Sequence, residues 1–281
     1  QRYTTWAALA TALNLGKWKL QADVLGTFVI EKVRNNVEAP DKSEFSPALI
    51  VGYKPFSNQD LNLRAFYKRI FRLPTFNDLY YAQIGFSQLN PEFTNQFNIG
   101  GSYQKTFKTG MIDRIALQMD VYYAAITDKI IAAPTGSSFR WMMTNMGKVE
   151  SKGVDVSTAV SGHVGLLKLH TNLAYSFTKA QDFTKINGKK LSSYGDQIPY
   201  TPWHSGSVIA GAEYGTWALN YSFIYVGERY NGAVNNIPRN YVEPWYTHDF
   251  SLQKEFRIRS RYLLKASVEM NNCLLYTSDA A

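Results

Sequence analysis

The sequence predicts an all-β fold, a transmembrane antiparallel β-barrel that is incomplete in this chain, with short periplasmic turns and long extracellular loops. Three observations predict it. Apolar and polar residues alternate with a period of two through segment after segment. Many of these segments reach the ~9–11 residues that a tilted strand needs to cross a bilayer, longer than the usual strands of soluble sheets. The connections between them alternate short and long, the rhythm of an outer-membrane barrel.

Residues 18–28 set Trp18, Leu20, Ala22, Val24 and Phe28 against Lys19, Gln21, Asp23 and Thr27. In residues 115–123, Leu117, Met119, Val121 and Tyr123 oppose Gln118, Asp120 and Tyr122. Residues 167–177 place Leu167, Leu169, Leu173, Tyr175 and Phe177 opposite Lys168, His170, Asn172, Ala174 and Ser176. The clearest segment is 217–226, where Trp217, Leu219, Tyr221, Phe223 and Tyr225 share one face. Residues 264–270 repeat the pattern, and about twelve such strands can be counted. Short connections fall at 15–16, 54–60, 108–114, 163–165, 215–216 and 257–261. Long ones fall at 34–44, 72–95, 132–141, 180–202 and 227–244. No helical stretch with a 3.6-residue period and good caps is visible. A polar face of this kind implies a wet lumen, and an apolar face ending in aromatics implies a lipid face. The competing reading is a soluble β-sandwich whose polar face is solvated.

Composition agrees. The 281 residues include 45% hydrophobic and 15% aromatic residues, yet the mean hydropathy is negative. No run approaches the ~18 apolar residues of a transmembrane helix. The net charge of +8 comes from Lys and Arg scattered through turns and loops, with no long basic run. That distribution fits an anionic membrane surface or anionic ligands better than nucleic acid. The single Cys permits no intrachain disulfide.

Catalytic signatures are not found. His163, His170, His204 and His248 make no metal-ligand spacing, and no nucleophile elbow, P-loop or dinucleotide fingerprint is present. Asp249 and Glu255 share an inward face with Ser251 and Gln253, the ordinary setting of wall charges. Neither an enzyme nor a cofactor or metal site is expected.

Several segments resemble the β-barrel domain of TonB-dependent outer-membrane receptors. They are AFYKRIFRLPTFNDLYY (65–81), NPEFTNQFNIGGSYQKTF (90–107), DVYYAAITDKI (120–130), NMGKVESKGVDVSTA (145–159), IPYTPWHSGS (198–207) and VEMNNCLL (268–275). Asp155 stands where that family more often has Glu. The six occur in the family's order along nearly the whole chain, in a style resembling receptors of the Bacteroidetes group. The resemblance implies residues 1–272 as part of a barrel of about 22 strands. The strands would run from roughly the tenth to the twenty-first, with plug and energy-coupling box upstream. Residues 273–281 (CLLYTSDAA) read like a translated library adaptor, a non-native tail.

Function follows from the same resemblance: uptake of a scarce nutrient such as a ferric siderophore, cobalamin or haem across the bacterial outer membrane. The implied partners are outer-membrane lipid and lipopolysaccharide, the inner-membrane TonB complex through the missing N-terminal part, and an extracellular small-molecule ligand. The alternatives are a passive porin-like channel and a soluble β-rich binding protein. Candidate ligand contacts in the extracellular loops are Tyr80 and Tyr81, Arg140 and Trp141, Tyr194, and Arg229 and Tyr230. Aromatic planes supply contact area and Arg supplies charge for an anionic chelate. Mouth aromatics also build interface belts, which is the bland reading of the same residues. Arg72, before Pro74, is expected to fix a strand top.

Overall fold

The computed structural model of the chain describes residues 1–32, 41–81, 84–135, 140–186, 188–258 and 262–272. Twelve antiparallel strands form one sheet in sequence order. They are β1 (Arg2–Leu15), β2 (Trp18–Glu31), β3 (Lys42–Tyr53), β4 (Asp60–Arg72), β5 (Glu92–Thr106) and β6 (Ile112–Thr135), followed by β7 (Arg140–Val164), β8 (Leu167–Asp182), β9 (His204–Tyr214), β10 (Trp217–Val226), β11 (Trp245–Ile258) and β12 (Tyr262–Met270). The sheet is open, with β1 and β12 as its edges. No second sheet covers either face among the described residues, so the sandwich alternative falls.

Three of the tight turns have one construction. Gly16–Lys17, Gly165–Leu166 and Gly215–Thr216 each join paired strands through two residues, with the glycine at φ near +60°. A positive φ at the first loop position but not at the second marks a type II′ hairpin turn, whose twist matches that of the strands. Glycine meets it without a Cβ penalty.

The ladders put the predicted faces where alternation placed them. Trp18, Tyr53, Tyr214 and Trp217 form a lower aromatic belt beside the tight turns, and Trp18 stacks on Tyr53 at 4.3 Å. An upper belt contains Tyr67, Phe97, Tyr123, Tyr175, Phe177 and Tyr225 on the same face. Trp217 and Tyr225 are eight residues apart. At ~3.3 Å per residue and a tilt of ~45°, that separation is roughly 20 Å, near the apolar band height of such barrels. Between the belts Ile99 is 71% and Leu169 41% exposed, a surface suited to lipid.

The opposite face is polar, and glycines let long side chains lie across it. Arg64 is paired with Gly100, and Gly100 with Asp120. The Arg64 guanidinium passes over Gly100 and grips Asp120, Nη2 to Oδ2 at 2.6 Å and to Oδ1 at 2.8 Å. A Cβ on Gly100 would sit 2.1 Å from Asp120 Oδ1. Tyr122 likewise passes over Gly153, its hydroxyl 2.7 Å from Thr178 Oγ1. His170 lies over Gly211, where a Cβ would meet its ring at 2.1 Å.

Two expectations need correction. The connection placed at 132–141 is largely strand: β6 and β7 stay paired up to Thr135 and Arg140, while β5 leaves β6 at Thr127 and β8 leaves β7 at Val149. The projecting ribbon keeps its ladder because Ile130 and Met143 pack on Leu79 and Leu89 of the preceding loop. A helix also exists. Phe76–Tyr80 forms α1, held by a capping box in which Thr75 Oγ1 accepts from the Asp78 N–H and Asp78 accepts from the Thr75 N–H. At five residues it is too short for a 3.6-residue period to register. The predicted tail, residues 273–281, lies outside the described residues.

Candidate ligand-binding surface at the extracellular mouth

The apolar clusters of the described residues lie at the long-loop end. Met146, Val149, Ala180 and Ile198 form one, and Leu79, Leu89 and Ile130 the other. The loops are therefore folded at their bases.

Arg72 ends β4 and ties its top. Its guanidinium donates to Glu92 at 3.2 Å and lies 3.7 Å from Asp78 in α1. Glu92 Oε2 also accepts from the Ile130 N–H at 3.1 Å. Arg2 adds a second tie, donating to the Pro74 carbonyl at 2.9 Å while resting 4.9 Å over the Phe76 ring. These contacts fix the start of the loop that carries Tyr80 and Tyr81.

Asp182, 1% exposed, organises the β8–β9 loop. It accepts from the Thr184 N–H at 2.8 Å and from Ser193 Oγ at 2.5 Å. The β10–β11 loop is locked to it through Asn235. The Asn235 Oδ1 accepts from the Gln197 N–H at 2.6 Å, and its amide returns a bond to the Gln197 carbonyl at 3.2 Å. The Asn235 N–H donates to Asp196 Oδ2 at 2.9 Å, and the Tyr200 N–H donates to the Tyr230 carbonyl at 2.7 Å. Neither Asn235 nor Asp182 stood out in the sequence. Each is an ordinary loop residue until its partner some tens of positions away is known.

The residues singled out from sequence fall into different settings. Tyr80 is half-buried against the Leu79 cluster and stacks on Phe76 at 6.3 Å, so part of it serves packing. Tyr81, the C-cap of α1, is 58% exposed. Trp141 is exposed on the projecting ribbon; Arg140 begins β7, and its side chain lies outside the described residues. Tyr194 packs edge-on against Phe183 at 5.4 Å and holds the Lys190 and Lys185 ammoniums 4.4 and 5.8 Å from its ring centre. Arg229 and Tyr230 form a two-residue ribbon with Tyr241 and Val242, Tyr230 edge-on to Tyr241 at 5.9 Å. Arg229 Nη1 is shielded from solvent and has no hydrogen-bond acceptor among the described residues. The structure thus brings Arg229 and Tyr230 into the loop that Asn235 locks to the loop of Tyr194. Tyr80, Tyr81 and Trp141 belong to other loops.

Two titratable groups at this end depart from their ordinary proton affinities. Lys148 keeps its proton more tightly than an ordinary lysine because it donates to Glu150, Nζ to Oε1 at 2.6 Å. Burial and the hydrogen bond to Glu228 push the Tyr241 phenol up, so it remains a donor. No cluster of three or more metal-ligating side chains occurs among the described residues.

A wall with one polar face, one lipid-suited face, two aromatic belts and folded loops at one end defines an outer-membrane β-barrel. The chain belongs to the TonB-dependent receptor β-barrel family: the pattern described as "TonB dependent receptor-like, beta-barrel" matches residues 1–273. Members of that family reside in the bacterial outer membrane. Eighty-six residues, 31% of this chain and 13% of the relative, are 29% identical to the vitamin B12 transporter BtuB of Vibrio vulnificus (strain YJ016). The unliganded ferric citrate transporter FecA superposes with a TM-score of 0.69 at 13% identity, over 97% of this chain and 40% of its own. BauA, the ferric preacinetobactin receptor of Acinetobacter baumannii, gives 0.68 at 14% identity, over 96% of this chain and 38% of its own. At such identities the likeness is one of fold. The chain spans well under half of each of these proteins.

Proposed function

We propose that the complete receptor binds a scarce nutrient at its extracellular mouth and imports it with energy delivered by the inner-membrane TonB complex. The ligand is an anionic chelate, a ferric siderophore in preference to cobalamin or haem. The observation that carries this preference is Arg229, whose Nη1 has no hydrogen-bond acceptor among the described residues. Burying a charged donor without a partner is costly, and an anionic ligand would remove that cost. Lys185 and Lys190 around Tyr194 add cations and a stacking plane in the loop to which the Arg229 loop is locked. Binding and passage, not bond-making, are the work such a surface performs.

The test is uptake by cells that express the full-length receptor and lack their other iron and cobalamin receptors. Radiolabelled iron supplied as ferric citrate or as a ferric catecholate is expected to enter only when TonB is present. The Arg229→Gln variant should weaken uptake by roughly tenfold or more, the factor set by a charge-assisted hydrogen bond of ~1.5–3 kcal/mol. Labelled cobalamin entering while both chelates stay outside would overturn the anionic preference. Entry undiminished without TonB would instead identify a passive channel.

A further inference from the structure

The lower rim of the sheet is stepped where β4 meets β5. The β4–β5 ladder ends at Asp60 and Gln104, whereas β5 runs on to Thr106, paired there with Arg114 of β6. The β3–β4 turn, residues 54–59, fills only part of that step. Between them lies a cleft of about 470 Å³, lined by Asn58 and Gln59 of the turn and by Tyr103, Gln104, Lys105 and Thr106 of β5. That volume falls within the ~300–1,000 Å³ of small-ligand sites. The cleft lies at the tight-turn end, the periplasmic end of such a barrel.

Its lining is rich in hydrogen-bonding groups. Asn58, Gln59 and Gln104 bring three primary amides, Thr106 a hydroxyl, and Tyr103 a ring plane with a hydroxyl. The side chains of Asn58 and Gln59 are exposed and make no hydrogen bond among the described residues. Gln104 is held in place by Arg114, whose Nη2 donates to its Oε1 at 2.7 Å. The cleft's one carboxylate, Asp60, is already engaged: it accepts from Asn62 Nδ2 at 2.9 Å and lies 3.7 Å from Lys54 Nζ. Lys105, its ammonium 5.0 Å over the Phe107 ring, and Lys108 in the next turn are exposed and form no ion pair among the described residues. Hydrogen-bonding groups and surplus positive charge therefore meet at one place on the rim.

We infer that this cleft holds an amino-sugar unit of the cell-wall glycan, with the carboxylates of its peptide stem against Lys105 and Lys108. Amides and hydroxyls suit the ring hydroxyls and N-acetyl groups of such a sugar, and the Tyr103 ring suits its flat face. Charge complementarity selects the stem: ammonium groups match carboxylates, and a neutral glycan would leave them unmatched. The lining offers little apolar surface to an acyl chain, which sets a membrane lipid aside. Peptidoglycan is the carboxylate-bearing saccharide that the periplasmic end of an outer-membrane barrel faces. Engagement there would tether the barrel to the wall beneath it. The site stands at the opposite end from the mouth, so it is independent of the nutrient reading above and depends only on placement in the outer membrane.

The experiment is calorimetric titration of the full-length receptor in detergent with the soluble disaccharide–tetrapeptide released from peptidoglycan. Chitotetraose, the free tetrapeptide and phosphatidylglycerol in mixed micelles are the comparison ligands. The disaccharide–tetrapeptide is expected to bind most tightly. The Asn58→Ala/Gln59→Ala variant should bind it roughly 25-fold more weakly, the factor for two hydrogen bonds of ~1 kcal/mol each at 1.4 kcal/mol per tenfold. The same variant should weaken chitotetraose as well. Lys105→Gln/Lys108→Gln should weaken the disaccharide–tetrapeptide about fivefold, the factor for two exposed ion pairs of ~0.5 kcal/mol each, and leave chitotetraose unchanged. Heat-modifiable mobility on a gel reports that each variant has folded. Unchanged affinity in the Asn58→Ala/Gln59→Ala variant would overturn the site. Equal affinity for the free tetrapeptide or for phosphatidylglycerol would overturn the glycan as its occupant.

Discussion

Replacing Gly100 with Ala tests how the polar wall is built. A Cβ there would lie 2.1 Å from Asp120 Oδ1 and 2.8 Å from the Met119 carbonyl. The carboxylate would have to retreat by more than 1 Å, which breaks the bidentate grip of Arg64. Arg64 is 44% exposed and Asp120 10%, so solvent screening limits the pair to about 1 kcal/mol. Crowding against the Met119 carbonyl adds about 1–2 kcal/mol of overpacking strain. The expected loss is therefore about 2–3 kcal/mol. It can be read from urea unfolding of the full-length receptor in lipid vesicles, followed by tryptophan fluorescence. Gly101→Ala is the control: its Cβ meets only the flexible Leu63 side chain at 3.0 Å and the Asn62 carbonyl at 3.5 Å, and should cost less. In an Asp120→Ala background the Gly100→Ala cost should fall to the overpacking part, about 1–2 kcal/mol. An equal cost in both backgrounds would refute the idea that Gly100 is there to let Arg64 across.

Two further outcomes follow from the same geometry. Tyr122→Phe removes the hydroxyl that meets Thr178 at 2.7 Å across Gly153 and should cost about 1 kcal/mol in the same unfolding assay. A loss indistinguishable from zero would show that the hydroxyl pair is equally well served by water. Asn235→Ala removes two of the hydrogen bonds joining the β8–β9 and β10–β11 loops. Amide hydrogen exchange at Gln197 and Tyr200 should accelerate, while the Leu167–Tyr175 stretch of β8 keeps its protection. Unchanged exchange at Gln197 would mean the loops are held without Asn235.

Strand existence, facing and connection parity were legible in the sequence because each is a local signal. Alternation such as Trp217–Tyr225 needs only nine neighbouring residues, and the Gly215 turn only two. The inner-wall devices were not legible, because each needs the register of three strands. Gly100 reads as a weak spot in a strand until Arg64 and Asp120 are known to flank it. The strand pairing within 132–141 is hidden for a related reason: Pro134 and Gly136 are turn-type residues, and the packing of Ile130 on Leu79 is invisible locally. At the mouth, the named aromatics and arginines were legible as residue types suited to ligands. Their grouping was not, since Asn235 and Gln197 couple loops that are remote along the chain. The helix Phe76–Tyr80 did leave a trace, Thr75 three residues before Asp78, a capping signal that carries no 3.6-residue period.

The two-residue glycine turns carry a consequence for how such a receptor can change. A hairpin closed by Gly-Lys, Gly-Leu or Gly-Thr fixes strand alignment from its lower end. The opposite ends of those strands then carry no responsibility for alignment. A loop can lengthen, shorten or be exchanged for a foreign one, and the wall beneath will still close in step. Recognition and architecture are thereby held by opposite ends of the same hairpins, and the first can diverge quickly while the second stays still.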